Sequence, residues 1–184
     1  MNHIETLYGP VSQQAFELAK GIRLLVCDVD GVFSDGRIYL GNNGEELKAF
    51  HTRDGFGIKA LQTSGVDVAI ITGRKSDIVQ RRMTALGVKH IHQGVDNKVE
   101  AYEQLKRQLN VSDDQCAYIG DDLVDTPVMA LTGLSVAVND AHPLVRKQAT
   151  LTTVTRGGFG AVRELCDLIM AAQGTLEHAQ GMSV

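Results

Sequence analysis

The sequence has no tryptophan, only three prolines in 184 residues, and no low-complexity block. A proline-rich recognition segment or extended linker is thereby excluded. Its three cysteines, Cys27, Cys116 and Cys166, are odd in number and widely spaced, matching neither a disulfide framework nor a zinc site. Cys27 and Cys116 sit in apolar strand-like runs and read as small core residues. No cluster of lysine and arginine occurs, and the formal net charge is -4, so the basic footprint of a nucleic-acid or membrane-surface protein is missing. No apolar stretch approaches the roughly 20 residues that span a bilayer. Met1 to Gly9 lacks the apolar centre of a signal peptide, and the expected location is the cytoplasm.

What remains is an ordinary globular composition, 43% hydrophobic and 22% charged, read as one domain over residues 1–184. Short apolar runs at Ile22–Cys27, Val66–Ile71, Cys116–Ile119 and Leu134–Val138, with weaker ones at Lys89–His92 and Leu151–Val154, alternate with segments of helical period. The helical segments are Ser12–Ala19, Gly57–Thr63, Ser76–Leu86, Lys98–Leu109, Pro127–Leu131, Leu144–Ala149 and Gly160–Ala172. Continuous apolar strands between helices predict an α/β fold, a doubly wound parallel sheet covered on both faces. One stretch breaks the alternation. Residues 36–50 read as strand, Gly-Asn-Asn-Gly turn, strand, a β-hairpin projecting after the first strand. The tail, residues 174–184, is polar and rich in small residues.

The chemistry gathers where strands end. Asp28-Val29-Asp30-Gly31 follows the first run, so two carboxylates project at a strand's carboxyl end, where open α/β sheets bind ligands. Alone this pattern is a turn with capping aspartates. The run Cys116–Ile119 ends in Gly120-Asp121-Asp122, with Asp125 beyond, and brings more carboxylates to the same edge. Like charges so gathered raise one another's pKa. A hard divalent cation with oxygen ligands, magnesium in the first instance, resolves the conflict. Thr72-Gly73-Arg74 ends another strand and offers a hydroxyl and backbone N–H groups to an anion. Lys98 opens a helix and can neutralise charge on a transferring phosphoryl group.

Asp28-x-Asp30, Thr72, Lys98 and Gly120-Asp121-Asp122-x-x-Asp125 together resemble the four motifs of the haloacid dehalogenase (HAD) superfamily. Arg23–Gly36, Gly41–Phe50, Arg53-Asp54-Gly55-x-Gly57, Asp140-Ala-His-Pro143 and Gly160-Ala-Val-Arg-Glu164 resemble, more narrowly, the phosphatases of 3-deoxy-D-manno-octulosonate 8-phosphate (KDO 8-phosphate) in lipopolysaccharide synthesis. Phe159 departs from the pattern, standing where a basic residue is expected.

The resemblance implies a magnesium-dependent phosphatase with an aspartyl-phosphate intermediate. Asp28 would be the nucleophile and Asp30 the acid and base, with Thr72 and Lys98 completing the catalytic set. Asp28, the carbonyl of Asp30, and Asp121 would hold the metal, while Asp122 and Asp125 orient water or Lys98. Substrate contacts are expected from Asp30, His51, Thr52, Arg53, Asp54, Gly55, Lys59, Arg74, Arg82 and Lys98. About forty residues separate Asp30 from Thr72, too few for a cap domain, and the resembling group closes such sites as homotetramers. The hairpin 36–50 would be the oligomerisation arm. A phosphatase of a nine-carbon keto-sugar acid phosphate is the nearest rival. A phospho-receiver domain, of a different class, would need a lone acceptor aspartate where Thr72 stands.

Overall fold

The computed structural model describes residues 3–179; the last part of the tail, 180–184, lies outside them. Six strands form one parallel sheet: β3 (Leu24–Cys27), β6 (Asp67–Thr72), β7 (His90–Gln93), β8 (Cys116–Gly120), β9 (Leu134–Ala137) and β10 (Leu151–Thr152). Their spatial order is β10-β9-β8-β3-β6-β7. Leu24 to Cys27 in β3 are all inaccessible, as continuous apolar strands with both faces covered require. In register, Cys27 stands beside Ile70 of β6 and Ile119 of β8. The chain winds outward from β3 in both directions, so the ligand-binding crevice opens at its carboxyl end.

Among the described residues seven α-helices flank the sheet: α1 (Gln13–Lys20), α2 (Thr52–Thr63), α3 (Asp77–Ala85), α4 (Lys98–Leu109), α5 (Thr126–Met129), α6 (Pro143–Gln148) and α7 (Ala161–Ala172). Helix α7 packs on α1 and α2, and α4 packs on α5. The fold is the doubly wound α/β architecture expected, without a cap domain. The start of α2 differs from the sequence reading: it opens at Thr52, not Gly57. The His51 side chain caps it, accepting from the Arg53 N–H; histidine is not among the preferred caps. Gly57, inside α2, serves packing, since a Cβ there would crowd Arg163 and Cys166 of α7.

Two small antiparallel pairs stand outside the main sheet. β1 (His3–Thr6) pairs with β2 (Gly9–Ser12), a hairpin absent from the sequence reading, since Leu7-Tyr8 gives no turn signal. β4 (Tyr39–Leu40) pairs with β5 (Glu46–Leu47) within the segment 36–50. All three cysteines are free and buried.

Candidate active site

The site is built on three adjacent strand ends. Asp28 follows β3, Thr72 ends β6, and Asp121 follows β8. They line a cleft of about 630 Å³ together with Asp30, Gly73, Arg74, Lys98, Asp122 and Val124. The loop after β3 is pressed onto Asp121: Gly31 has φ +90, and a Cβ at that position would overlap the Asp121 carboxylate. Glycine is thus required by both backbone shape and space.

Lys98 is a buried cation at the centre of the site. Asn97 caps α4 through the Val99 and Glu100 N–H groups, which places Lys98 at the first helical position. Its Nζ lies 2.9 Å from Asp28 Oδ1 and 2.8 Å from Asp125 Oδ1. Asp125 is wholly buried and fully engaged. Its Oδ1 also accepts from the Tyr118 hydroxyl at 2.7 Å, and its Oδ2 accepts from the Asp121 and Asp122 N–H groups at 3.0 and 3.2 Å. Asp125 therefore fixes both Lys98 and the loop that carries Asp121. Asp122 caps the short 3-10 turn Leu123–Asp125, accepting from Leu123 N–H.

Electrostatics identify where a cation belongs. Burial, then the charge of Asp125, push Asp28 up to about 6 against the pull of Lys98. Burial and the neighbouring charges of Asp28, Asp125 and Asp122 push Asp121 up to about 8. Asp28, Asp121 and Asp125 each offer an oxygen within 4.8 Å of the others'. With both oxygens of Asp125 occupied, Asp28 and Asp121 are the side chains left to bind a metal. Gly31, next to Asp30, lies against the Asp121 carboxylate. This all-oxygen donor set suits a hard divalent ion.

Two residues that sequence reasoning did not single out enter the site from β5 and the residue beyond it. Lys48 Nζ lies 2.6 Å from Asp30 Oδ1. Glu46 accepts from Ser76 Oγ at 3.1 Å and from Arg74 Nη2 at 3.3 Å. The alternation Glu46-Leu47-Lys48 was the available signal, since residues two apart share one side of a strand.

The remaining expected substrate residues do not line this cleft in the chain. His51 caps α2, and Thr52 and Arg53 are exposed beside it. Asp54 is buried, accepting from the Arg163 N–H at 2.8 Å through Oδ1, while Oδ2 has no hydrogen-bond partner. Desolvation pushes its carboxyl up to about 7. Gly55 lies against the Arg82 guanidinium. Lys59 lines a separate cavity of about 890 Å³ with Asp67, Lys89 and His90, beside the amino end of β6. Phe159, 51% exposed, stacks on the Arg156 guanidinium.

Comparison with known proteins agrees with this geometry. The sequence pattern of haloacid dehalogenase-like hydrolases matches residues 90–162. The 3-deoxy-D-manno-octulosonate 8-phosphate phosphatase of Yersinia pestis is 56% identical over 99% of this chain and 97% of its own length. That of Escherichia coli K12 is 54% identical over 98% and 96%. The crystal structure of the Yersinia pestis phosphatase superposes with a TM-score of 0.98, covering 100% of this chain and 99% of that one. The Moraxella catarrhalis phosphatase, in complex with magnesium, phosphate and KDO, is 42% identical with a TM-score of 0.88, covering 90% and 95%.

Proposed function

The chain belongs to the KDO 8-phosphate phosphatase family of haloacid dehalogenase-like hydrolases, and on that premise we propose that the Asp28 cleft hydrolyses KDO 8-phosphate to KDO and phosphate. The observation that carries the reading is the Asp28–Lys98–Asp125 triad beside Asp121. It supplies a nucleophile, a fixed cation and a metal site on one strand edge.

The enzyme is a magnesium-dependent phosphatase, with Asp28, Asp121 and the Asp30 carbonyl as the metal's proposed protein ligands. Magnesium held there neutralises carboxylate and phosphate oxygens as they approach. Asp28, through the oxygen not engaged by Lys98, attacks phosphorus in line, and the P–O bond to the sugar breaks. Asp30 gives its proton to the departing alkoxide, then takes one from the water that cleaves the aspartyl-phosphate. Thr72 and the N–H groups of the Gly73 turn hold phosphate oxygens, and Lys98 balances charge at the transferring group.

Arg74, half-exposed at the cleft mouth, is the proposed contact for the sugar acid. His51–Arg53, Lys59 and Arg82 do not line the cleft within one chain, which favours their use across subunits, whereas Asp54 and Gly55 are buried in this one. Tyr39, Leu40 and Leu47 on the hairpin are exposed, an apolar surface suited to pairing in a homotetramer. Among the described residues no helix is long and apolar enough to cross a membrane. The free cysteines favour the reducing cytoplasm.

A phosphate-release screen with magnesium, across KDO 8-phosphate, a nine-carbon keto-sugar acid phosphate, glucose 6-phosphate and arabinose 5-phosphate, tests the reading. Losing one charge-assisted carboxylate contact costs ~1.5–3 kcal/mol, about ten- to a hundredfold in kcat/KM. KDO 8-phosphate should lead glucose 6-phosphate and arabinose 5-phosphate, which lack the carboxylate, by at least that factor. Equal specificity constants would make this a broad phosphatase.

A further inference from the structure

Beyond Glu46, the chain returns toward the body with Glu46 and Lys48 on one side and Leu47 on the other, the alternation that a strand imposes. The side turned inward is the charged one. Leu47 is 65% exposed, whereas none of the Lys48 side chain is accessible. An element that only packed onto the protein would bury its leucine. This one inserts an ammonium group instead.

The nearest partner of Lys48 is Asp30, at 2.6 Å to Oδ1, against 3.6 Å to Glu46 Oε1. Glu46 is itself held by Ser76 and by Arg74. Arg74 Nε approaches Asp30 Oδ2 only to 3.9 Å, which is beyond hydrogen-bond reach. One oxygen of Asp30 is therefore pinned by Lys48, and the other is left to exchange a proton with the reacting group. The pin reaches Asp30 from the hairpin, not from the sheet that carries it.

We propose that Lys48 is a positioning residue for phosphoryl transfer, fixing the Asp30 carboxyl so that its Oδ2 meets the leaving oxygen, with Glu46 anchoring the hairpin over the cleft. The inference rests on the phosphatase reading and on Asp30 as its acid and base. It adds no group that touches the phosphate. Its signature is selectivity for leaving groups that need a proton. An alkoxide needs one, whereas p-nitrophenolate departs without assistance, and kcat/KM reports the chemistry up to that departure.

The experiment compares wild type with Lys48→Met, which keeps the length of the buried stem, and with Lys48→Arg and Glu46→Gln. Each is assayed with magnesium on KDO 8-phosphate, on other alkyl monoesters the wild type turns over, and on p-nitrophenyl phosphate. For Lys48→Met, kcat/KM on alkyl esters should fall about 10- to 100-fold, since misplacing a catalytic group has costs of this order. On p-nitrophenyl phosphate the fall should stay below about threefold. Lys48→Arg should recover most of the alkyl activity. Glu46→Gln should show the same selectivity more weakly, and covers the case in which Lys48→Met fails to fold. Equal losses on both ester classes, or no loss, would overturn the proposal. Wild-type activity on alkyl esters other than KDO 8-phosphate alone would remove the substrate reading, yet the alkyl-to-aryl ratio would still decide the role of Lys48.

Discussion

Replacing Asp125 by alanine removes the one group that ties Lys98, Tyr118 and the Asp121 loop together. Four hydrogen bonds, of 2.7 to 3.2 Å, end on its two oxygens. Alanine would leave the Asp121 and Asp122 N–H groups and the Tyr118 hydroxyl without this acceptor, and Lys98 with Asp28 as its remaining close carboxylate. Breaking a buried ion pair by deleting one member costs about 3–5 kcal/mol. Relief of the repulsion that Asp125 exerts on Asp28 and Asp121 works in the opposite direction, so the lower part of that range is expected. In a domain of this size each kcal/mol moves Tm by about 2–4 °C, which sets a fall of roughly 6–12 °C. A loosened Lys98 should also reduce kcat by about 100-fold. Asp125 is an anchor and not a ligand, so magnesium affinity should fall less than in Asp121→Asn. Calorimetry, steady-state kinetics and magnesium titration of the two variants measure all three quantities. An Asp125→Ala protein that melts within about 2 °C of wild type and keeps its kcat would refute the anchoring role. A larger loss of magnesium affinity than in Asp121→Asn would make Asp125 a ligand.

Asp28→Asn should lower kcat by about 10,000-fold or more without lowering Tm in chelator, because it removes a charge from a repelling cluster; retained turnover would end the nucleophile assignment. Asp28, Asp54 and Asp121 are held at about 6, 7 and 8, above the ordinary 3.8. The folded chain therefore keeps protons that the unfolded chain loses, and stability in chelator should fall as pH rises from about 4 to about 8. Magnesium stabilises the ionised forms of Asp28 and Asp121, so its increment in Tm should be larger at about pH 8 than at about pH 5, and equal increments would contradict the assigned site. Leu40→Ser with Leu47→Ser should shift the mass seen by light scattering from that of the proposed tetramer toward smaller species; an unchanged mass would remove the hairpin from the interface.

The catalytic edge was legible because each component carries its own local signal. An apolar run predicts a strand, and the residue after it lies at the sheet edge, so Asp28, Thr72 and Asp121 could be placed together before any contact was known. Lys98 was legible through the helical period that starts at it. An orienting role for Asp125 came with the family resemblance, whereas the part played by Tyr118 was not legible, because a hydroxyl inside an apolar strand looks like any core tyrosine. Lys48 escaped for a different reason: a lysine in a polar hairpin reads as solvated, and the burial of its side chain depends on where the hairpin lies. The start of α2 was missed because its cap is a histidine and its interior glycines answer to helix packing, a tertiary demand that local propensity does not record.

The loop between β10 and α7 lies directly on the loop that follows β3. The Gly158 N–H donates to the Val32 carbonyl, Asp140 accepts from the Gly157 N–H at 2.9 Å, and a Cβ on Gly157 would overlap the carbonyl of Gly31. Two pieces of chain more than a hundred residues apart are thus stacked main chain on main chain, with no room for even a methyl group. In a library randomised position by position and selected for turnover, sites 31 and 157 should return glycine alone, while exposed Gln108 accepts many replacements. Some of the least replaceable residues of this enzyme would then have no side chain at all, and a ranking of importance by chemical function would overlook them.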